Sequence, residues 1–226
     1  MVAETDEEQV EQIKKWLEEN GLSLVLTIVI AVGGTFGYRA WENSVQTTGE
    51  SASALYENLS TAVGGNIMGA PSEELLQTGK TLAQQLKDDY GDSTYAVFGS
   101  LQMAKAYVDQ GALGAAEQEL KWALAAGAPN ELEIVTRMRL AKVLAEQDKF
   151  NEAISVLDKP LELAAFKSAW EETRGDVYYA KGDMESARQS YQMAVNALGE
   201  EDQRPYLSMK LDDLTTVPAD DESGAE

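Results

Sequence analysis

The sequence predicts an all-α protein that has a single transmembrane helix near its N-terminus and a superhelical array of helical repeats after it. Aliphatic residues and alanine are abundant, and 5 of the 226 residues are proline, a composition that favours helices. Runs of β-branched residues, which favour strands, are absent outside the range 22–38. Small and large side chains also recur together at fixed spacings between positions 104 and 194.

The first element, over residues 1–20, is predicted to be a short amphipathic helix. Thr5 and Glu8 have the spacing of a capping box, and Asn20-Gly21 is a typical helix end. Four apolar side chains recur along one face of this helix: Val10, Ile13, Trp16 and Leu17. This face would either lie on the membrane surface or bind a basic protein partner, because anionic lipid would repel the acidic residues beside it.

Residues 21–41 form the predicted transmembrane helix. The uncharged stretch from Asn20 to Tyr38 would be about 28 Å long as a helix, close to the ~30 Å hydrocarbon core. Trp16 and Trp41 flank it, as aromatic residues do at membrane interfaces. A signal peptide is disfavoured by the acidic residues before the stretch, and a buried soluble helix would be amphipathic.

Basic residues near the stretch predict its orientation. Lys14 and Lys15 precede it, whereas Arg39 alone follows it closely. This count places the N-terminus in the cytoplasm and the C-terminal part outside the inner membrane, in the periplasm of a Gram-negative host. Gly33 and Gly37 form a small-residue face that could pack against another membrane helix, although glycines are common in membrane helices generally.

The repeat array is predicted from three copies of one pattern. Each copy begins with a small residue, alanine or glycine. A large residue follows it after 3 positions, a second small residue after 12 and a second large residue after 16. The repeat-defining residues are Ala104, Tyr107, Ala116, Leu120, Ala141, Leu144, Ala153, Leu157, Gly175, Tyr178, Ala187 and Tyr191. Small residues let two helices approach closely and large residues fill the space beside them. This pattern resembles the tetratricopeptide repeat, a helix–turn–helix unit of about 34 residues.

Turns and flanking segments complete the predicted organisation. Turns are expected at Gly111, Asp148-Lys149 and Gly182-Asp183, and Asn130 with Glu133 is expected to cap the second repeat. The predicted segments are a helical hairpin over 42–92 with helices at 42–63 and 73–90, repeats over 93–200, a capping helix over 201–214 and a disordered acidic tail over 215–226.

The inner faces of the first helices of such repeats commonly bind peptides or proteins. The side chains expected on this face are Phe98, Leu101, Lys105, Val108, Met138, Lys142, Glu172, Asp176 and Tyr179. The face lacks the asparagines that help related chaperone-binding repeats to hold a terminal carboxylate. The alternative for each residue is an ordinary place in the core or on the solvated surface.

Composition excludes several classes of function. The chain has neither cysteine nor histidine, so disulfides, thiol nucleophiles, imidazole bases and Cys/His zinc sites are impossible. A formal net charge of −21 without a basic cluster argues against a nucleic-acid partner. The acidity favours solubility, with specific acidic docking as the alternative.

An enzyme would have to depend on carboxylates, lysine, serine or tyrosine, and a carboxylate-based hydrolase is the remaining enzymatic alternative. Glu171 and Glu172 are adjacent in a predicted helix, where neighbouring side chains do not face each other. We expect them to be solvated charges. The prediction is therefore a protein that is not an enzyme and has no catalytic residue, no metal ligand and no cofactor.

Across residues 9–214 the chain is similar to the YfgM-like ancillary subunits of the SecYEG translocon. The resemblance rests on the order of QVEQIKKWLEENG, an anchor ending in GYRAW, SASALYENL, degenerate repeats and LSMKLDDL. The two aspartates of LSMKLDDL and the residues after Leu214 depart from the family pattern, so nothing is carried over for the tail. The resemblance implies a single-pass inner-membrane protein with a periplasmic repeat domain.

The resemblance also implies partners and a role. The partners would be the SecYEG channel, a membrane-anchored periplasmic chaperone resembling a prolyl isomerase, emerging secretory proteins and a cytoplasmic stress-response regulator. The expected function is that of a chaperone accessory in protein translocation. The alternative is a membrane-anchored regulator that sequesters the cytoplasmic factor through residues 5–20.

Overall fold

The computed structural model of the chain describes residues 6–64, 70–159, 162–199 and 204–215. Every regular element in these ranges is helical, so the predicted all-α class is confirmed. A 3₁₀ turn at Ala164–Phe166 precedes the seventh α-helix. The α-helices of these ranges are α1 (Asp6–Gly64), α2 (Glu73–Tyr90), α3 (Thr94–Asp109), α4 (Leu113–Ala125), α5 (Asn130–Ala145), α6 (Phe150–Leu157), α7 (Lys167–Lys181), α8 (Met184–Asn196) and α9 (Pro205–Thr215).

The first helix does not end at Asn20-Gly21, so that prediction is wrong. The amide of Asn20 donates to the carbonyl oxygen of Trp16 at 3.0 Å, and the hydroxyl of Ser23 donates to the carbonyl oxygen of Asn20 at 3.0 Å. Both polar side chains therefore bond within the helix and do not compete with its backbone ladder. A single glycine costs a helix about 1 kcal/mol, which a helix of 59 residues tolerates. Thr5 of the predicted capping box lies outside the described residues.

The chain divides into two compact units, Met1–Ser51 and Ala52–Glu226. In the described part of the first unit, α1 is long and apolar enough to cross a membrane. Its apolar side chains are exposed along the whole stretch, for example Leu22, Ile30 and Phe36. Such all-round exposure of apolar side chains suits a lipid environment and would be costly in water.

The second unit is a series of stacked helical hairpins. The closest packing joins α3 to α4, α5 to α6 and α7 to α8, and successive hairpins meet through α4 with α5 and α5 with α7. The turns lie where the sequence predicted them, with positive φ angles of 72° at Gly111, 59° at Asp148 and 85° at Gly182. Glycine adopts this conformation without strain, and aspartate is among the residues that tolerate it best.

The predicted cap of the second repeat is wrong. Pro129, not Asn130, is the residue that precedes α5, and its side chain makes no capping hydrogen bond. Glu133 instead pairs with Arg137 of its own helix at 2.8 Å and with Lys159, which follows α6. The carboxylate for which the sequence predicts local capping thus forms an ion pair within α5 and another with the segment that follows α6.

The repeat-defining residues lie at the contacts within the hairpins. The small residues among them are buried, and so are Leu120, Leu144, Leu157 and Tyr191. Gly175 marks a very close approach, because a Cβ atom at this position would lie 2.4 Å from the Cδ1 and Cε1 atoms of Tyr191. The observed packing of α7 against α8 therefore requires the absence of a side chain here.

The hairpin before the repeats packs onto α3. Leu59 and Val63 near the end of α1 contact Leu76 and Ala83 of α2, and the cluster continues into α3 with Met103. Gly79 permits this contact, since an added Cβ would lie 2.3 Å from a methyl carbon of Val63.

A polar network also joins α2 to the first repeat hairpin. Lys87 Nζ donates to Glu119 Oε2 at 2.6 Å and lies 4.9 Å from the centre of the Trp122 ring. The hydroxyl of Ser100 donates to the same carboxylate oxygen at 2.6 Å. At the far end of the unit, α9 includes Thr215, and the remainder of the predicted acidic tail lies outside the described residues.

Candidate partner-binding surface

Two neighbouring cavities open on α3, α5, α7 and α9. The first, named here the basic cavity, has a volume of about 290 Å³. Its lining consists of Ala104, Lys105, Val108, Leu120, Arg139, Lys142 and Val143. The aliphatic residues form the apolar part of this lining, and Lys105, Arg139 and Lys142 add three cations.

The second, named here the mixed cavity, has a volume of about 520 Å³. It shares Lys142 with the basic cavity and extends to α9. Its lining consists of Lys142, Ala145, Glu146, Asp148, Phe150, Asp176, Val177, Ala180 and Lys210. Both signs of charge therefore line this cavity.

Helical spacing explains why these side chains converge. Lys105 and Val108 are separated by three positions on α3, so they lie on one face of that helix. Arg139, Lys142 and Val143 have spacings of three and four positions on α5 and share a face in the same way. The two faces line one cavity because α3 and α5 are the first helices of successive hairpins.

The three cations of the basic cavity differ in their pairing. Lys105 Nζ lies 2.5 Å from Asp109 Oδ2, four positions later on the same exposed helix surface. Among the described residues, neither Arg139 nor Lys142 has a hydrogen bond or ion pair through its side chain. Most other basic residues of the repeat hairpins are paired, for example Arg137, so the basic cavity retains charge that the fold itself does not neutralise.

At the other end of the surface, Lys210 of α9 neutralises two carboxylates of α7. Lys210 Nζ lies 2.6 Å from Asp176 Oδ1 and 3.0 Å from Glu172 Oε1. Arg204 adds a second contact to Glu172 at 2.9 Å, and the hydroxyl of Tyr191 donates to Asp176 at 2.9 Å. Glu172 and Asp176, which the sequence predicts to bind a partner, thus make intramolecular contacts with α9.

The network changes the acidity of its members. Burial opposes the charge of Lys210, but its hydrogen bonds to Asp176 and Glu172 outweigh this effect and raise its pKa. Burial also opposes the charge of Glu172, but the cations Lys210 and Arg204 outweigh this effect and lower its pKa. Burial beside Asp176 raises the pKa of Tyr191 far above the ordinary value for a phenol.

The remaining predicted surface residues are placed differently. Leu101 is 6% exposed and belongs to the core, and Met138 packs partly buried against the same core. Phe98 packs against Tyr56, with 5.9 Å between the ring centres. Tyr179 is 52% exposed, and it is not part of the lining of either cavity in the described structure.

Sequence reasoning missed several residues of this surface, among them the cations Arg139 and Lys210. Arg139 lies three positions before Lys142, so helical spacing alone would have placed it on the same face. Lys210 is different, because only the fold brings the capping helix against α7. No periodic signal in the sequence identifies that contact.

The adjacent glutamates of α7 are not solvated charges, so that prediction is wrong. Glu171 is 3% exposed and pairs with Lys167, while Glu172 belongs to the network with α9. Their different directions from one helix explain the difference in environment. Within the described residues, no group of three or more carboxylates is arranged to hold a metal ion.

The first unit presents two further predicted surfaces. Val10, Ile13, Trp16 and Leu17 are each at least half exposed. A Cβ atom added at Gly33 or Gly37 would meet nothing within 4 Å. Both surfaces are therefore accessible on α1.

Comparison with known proteins gives consistent results. A family model described as a tetratricopeptide repeat-like domain matches residues 14–216. The chain is 28% identical to the ancillary SecYEG translocon subunit of Escherichia coli K12, with 95% of this chain and 98% of the relative covered. For the subunits of the same name from Haemophilus influenzae and Aggregatibacter actinomycetemcomitans, identity is 28% and 31%, and each comparison covers 92% of this chain and 97% of the relative.

Proposed function

Because this chain belongs to the tetratricopeptide repeat-like family and to the ancillary SecYEG translocon subunits, we propose that it is a non-enzymatic inner-membrane adaptor of the Sec translocon. One observation carries the proposal beyond the family name. A single chain combines a helix suited to a membrane with a repeat unit that has open cavities and unneutralised cations.

The repeat unit acts in the periplasm in this proposal. Lys14 and Lys15 before the apolar stretch, against Arg39 after it, support a cytoplasmic N-terminus. There the repeat unit binds a membrane-anchored chaperone resembling a prolyl isomerase, emerging secretory proteins, or both. Anchoring beside SecYEG raises the local concentration of these partners, so moderate affinity is sufficient.

The face of α1 that includes Gly33 and Gly37 contacts a translocon helix in this proposal. Without side chains at these positions, a second membrane helix can approach the backbone closely. Replacing both glycines by isoleucine should reduce co-purification of SecY, whereas replacing Ala31 and Thr35 by isoleucine, on the opposite face of the helix, should leave it unchanged. Equal losses from both variants would argue against this contact.

A specific observation also supports the alternative role of a regulator that sequesters a cytoplasmic factor. The apolar face with Ile13 and Trp16 is exposed and lies beside several acidic residues. A basic protein partner would match both properties. Deleting residues 1–20 should then abolish regulation but leave the adaptor function intact.

The test is co-purification from membranes solubilised in mild detergent, with identification of partners by mass spectrometry. The full-length chain is compared with a variant that lacks residues 1–42 and is exported by a cleavable signal. We expect the full-length chain to retrieve SecYEG subunits and a periplasmic chaperone. Partners that the truncated variant still retrieves are assigned to the repeat unit.

The opposite result would be equally clear. If the full-length chain retrieves neither SecYEG nor a periplasmic chaperone, but retrieves a cytoplasmic factor that is lost on deletion of residues 1–20, the adaptor proposal fails. The regulatory role would then replace it.

A further inference from the structure

We propose that the basic cavity between α3 and α5 binds an extended segment of a protein partner in which one apolar side chain is flanked by carboxylates. The inference rests on the proposed adaptor function, since it specifies the chemistry of the segment that the repeat unit recognises. The apolar side chain would enter the cavity, and the flanking carboxylates would meet Lys105, Arg139 and Lys142.

The size and lining of the cavity support the apolar part of this segment. A volume of about 290 Å³ is at the small end of ligand sites, so a side chain fits better than a whole helix. Val108 is 41% exposed although it is aliphatic, and Val143 and Leu120 line the same space. A bound aliphatic side chain would remove this surface from water.

Charge supports the acidic part. The chain as a whole has a formal net charge of −21, yet Arg139 and Lys142 are unpaired within the described structure. Lys105 is 64% exposed at its side chain and pairs only within its own helix in that structure. Carboxylates would form charge-assisted hydrogen bonds with these cations, and the guanidinium group of Arg139 can bind one in a bidentate manner.

The mixed cavity limits where those carboxylates can bind. Glu146, Asp148 and Asp176 line it, and Lys210 is already paired with Asp176 and Glu172. A second acidic group there would meet like charges. The basic cavity is therefore the better site for the acidic part of the segment.

Fluorescence anisotropy with defined probes tests the proposal. The full-length chain, in nanodiscs of zwitterionic lipid, is titrated into the fluorescein-labelled peptide Gly-Ser-Asp-Glu-Leu-Glu-Asp-Ser-Gly, blocked at its C-terminus as an amide. Two matched peptides replace either the acidic residues by their amides or the leucine by serine. We expect each replacement to weaken binding by about tenfold or more.

Matched variants of the protein locate the site. Arg139→Gln with Lys142→Gln should weaken binding of the acidic probe by about tenfold, whereas Lys80→Gln, an exposed cation on α2, should not. Val108→Ser should weaken binding, and Leu75→Ser, with 42% exposure on α2, should not. Far-ultraviolet circular dichroism verifies that each variant remains folded.

Three outcomes would overturn the inference. The first is binding of the amide probe as tightly as the acidic one, and the second is unchanged binding by the Arg139/Lys142 variant. The third is binding of the acidic probe only after removal of residues 216–226, because the chain's own acidic tail would then be the occupant. Co-purification of SecYEG by the same variants separates this failure from failure of the adaptor proposal.

Discussion

At position 175 the absence of one methyl group decides how closely two helices can pack. The Tyr191 ring occupies the space that a Cβ atom would need, at 2.4 Å, and the ring is almost fully buried. The tyrosine cannot retreat freely, since its hydroxyl also donates to Asp176. A side chain at 175 would therefore force α7 and α8 apart or displace the ring.

We predict that Gly175→Ala lowers the free energy of unfolding by about 1–3 kcal/mol, the usual cost of overpacking. Urea unfolding of the detergent-solubilised chain, followed by tryptophan fluorescence, measures this change. Gly114→Ala is the matched control, because an added Cβ on α4 meets nothing within 4 Å. Alanine should leave stability unchanged there or raise it by up to about 1 kcal/mol. Similar losses in both variants would contradict the role of the Tyr191 contact.

Glu117 links the first two repeat hairpins by charge. Its carboxylate accepts hydrogen bonds from Lys121 at 2.6 Å, Lys149 at 2.8 Å and Gln147 at 3.0 Å. The hydrogen bonds from Lys121 and then Lys149 lower its pKa from 4.5 to about 2. Because the folded state holds the carboxylate ionised, this stabilisation is present above pH 4.5 and is lost as the pH falls toward 2.

We predict that Glu117→Gln destabilises the chain by about 1–2 kcal/mol at pH 7, allowing for the solvent exposure of both lysines. The loss should diminish as the pH falls from 4.5 toward 2, where the native carboxyl also becomes protonated. Urea unfolding at several pH values measures both effects. Glu57→Gln, on an exposed part of α1, is the control and should show neither. A pH-independent difference for Glu117→Gln would refute the electrostatic account.

Among the elements, α9 owes its position to charge as well as to packing. Leu207 is fully buried beside Ala194 and Tyr191. Lys210 meets two of the carboxylates of α7, those of Asp176 and Glu172, at 2.6 and 3.0 Å. Without this lysine, Glu172 and Asp176 would lose a cation in a partly buried site, which is costly.

We predict that Lys210→Met increases amide hydrogen exchange in α9 roughly tenfold, which corresponds to about 1.4 kcal/mol of local stability. Methionine retains much of the apolar stem, so the comparison isolates the charge. Arg188→Met is the control, since its pair with Glu185 is exposed at the surface of α8. Exchange in α9 should be unchanged in the control. Unchanged exchange in Lys210→Met would show that packing alone holds this helix.

The contrast between hairpins and caps explains what sequence could predict. Residues such as Ala104, Ala141 and Leu157 recur because close packing of two helices requires small and large side chains at fixed spacings. Such spacings can be read directly from the sequence. The position of a helix end depends on a few local hydrogen bonds, and tertiary packing can outweigh them. Asn20 and Asn130 therefore gave wrong predictions for the end of one helix and the cap of another. The ion pairs of Glu172 connect residues far apart in sequence, and no sequence pattern predicts them.

The same reasoning applies to the candidate surface. Lys105, Val108 and Lys142 were predictable because a helical face follows from periodicity, and the structure brings all three to one cavity. Periodicity places Leu101 on the same face, but the core extends far enough to bury it. Spacing determines the direction in which a side chain points. Whether that side chain is buried depends on how the neighbouring hairpin packs.

For the whole molecule, the predicted arrangement places the two units against different environments. α1 exposes apolar side chains over the stretch that would meet lipid, while the second unit buries most of its apolar side chains in clusters. The basic residues near the membrane are few, with Lys14 and Lys15 on one side and Arg39 on the other. Orientation therefore depends on a small difference in charge.

We predict that a cysteine at position 11 is cytoplasmic and one at position 44 is periplasmic. The chain has no cysteine of its own, so Glu11→Cys and Ser44→Cys each introduce a single thiol. A membrane-impermeant maleimide should label Ser44→Cys in intact spheroplasts, and it should label Glu11→Cys only after lysis. The reverse pattern would place the repeat unit in the cytoplasm and exclude a periplasmic chaperone as its partner.

The contact between Gly175 and Tyr191 also constrains the order in which the chain can accumulate mutations. The corresponding pairs in the other repeats are Ala104 with Leu120 and Ala141 with Leu157. In those repeats alanine takes the place of glycine, and the smaller leucine takes the place of tyrosine. Converting the third pair to this form requires two changes. If glycine changes first, the intermediate is overpacked; if tyrosine changes first, it has a cavity that alanine can then partly fill. A lineage would therefore reach the alanine–leucine pair more readily by replacing the tyrosine first.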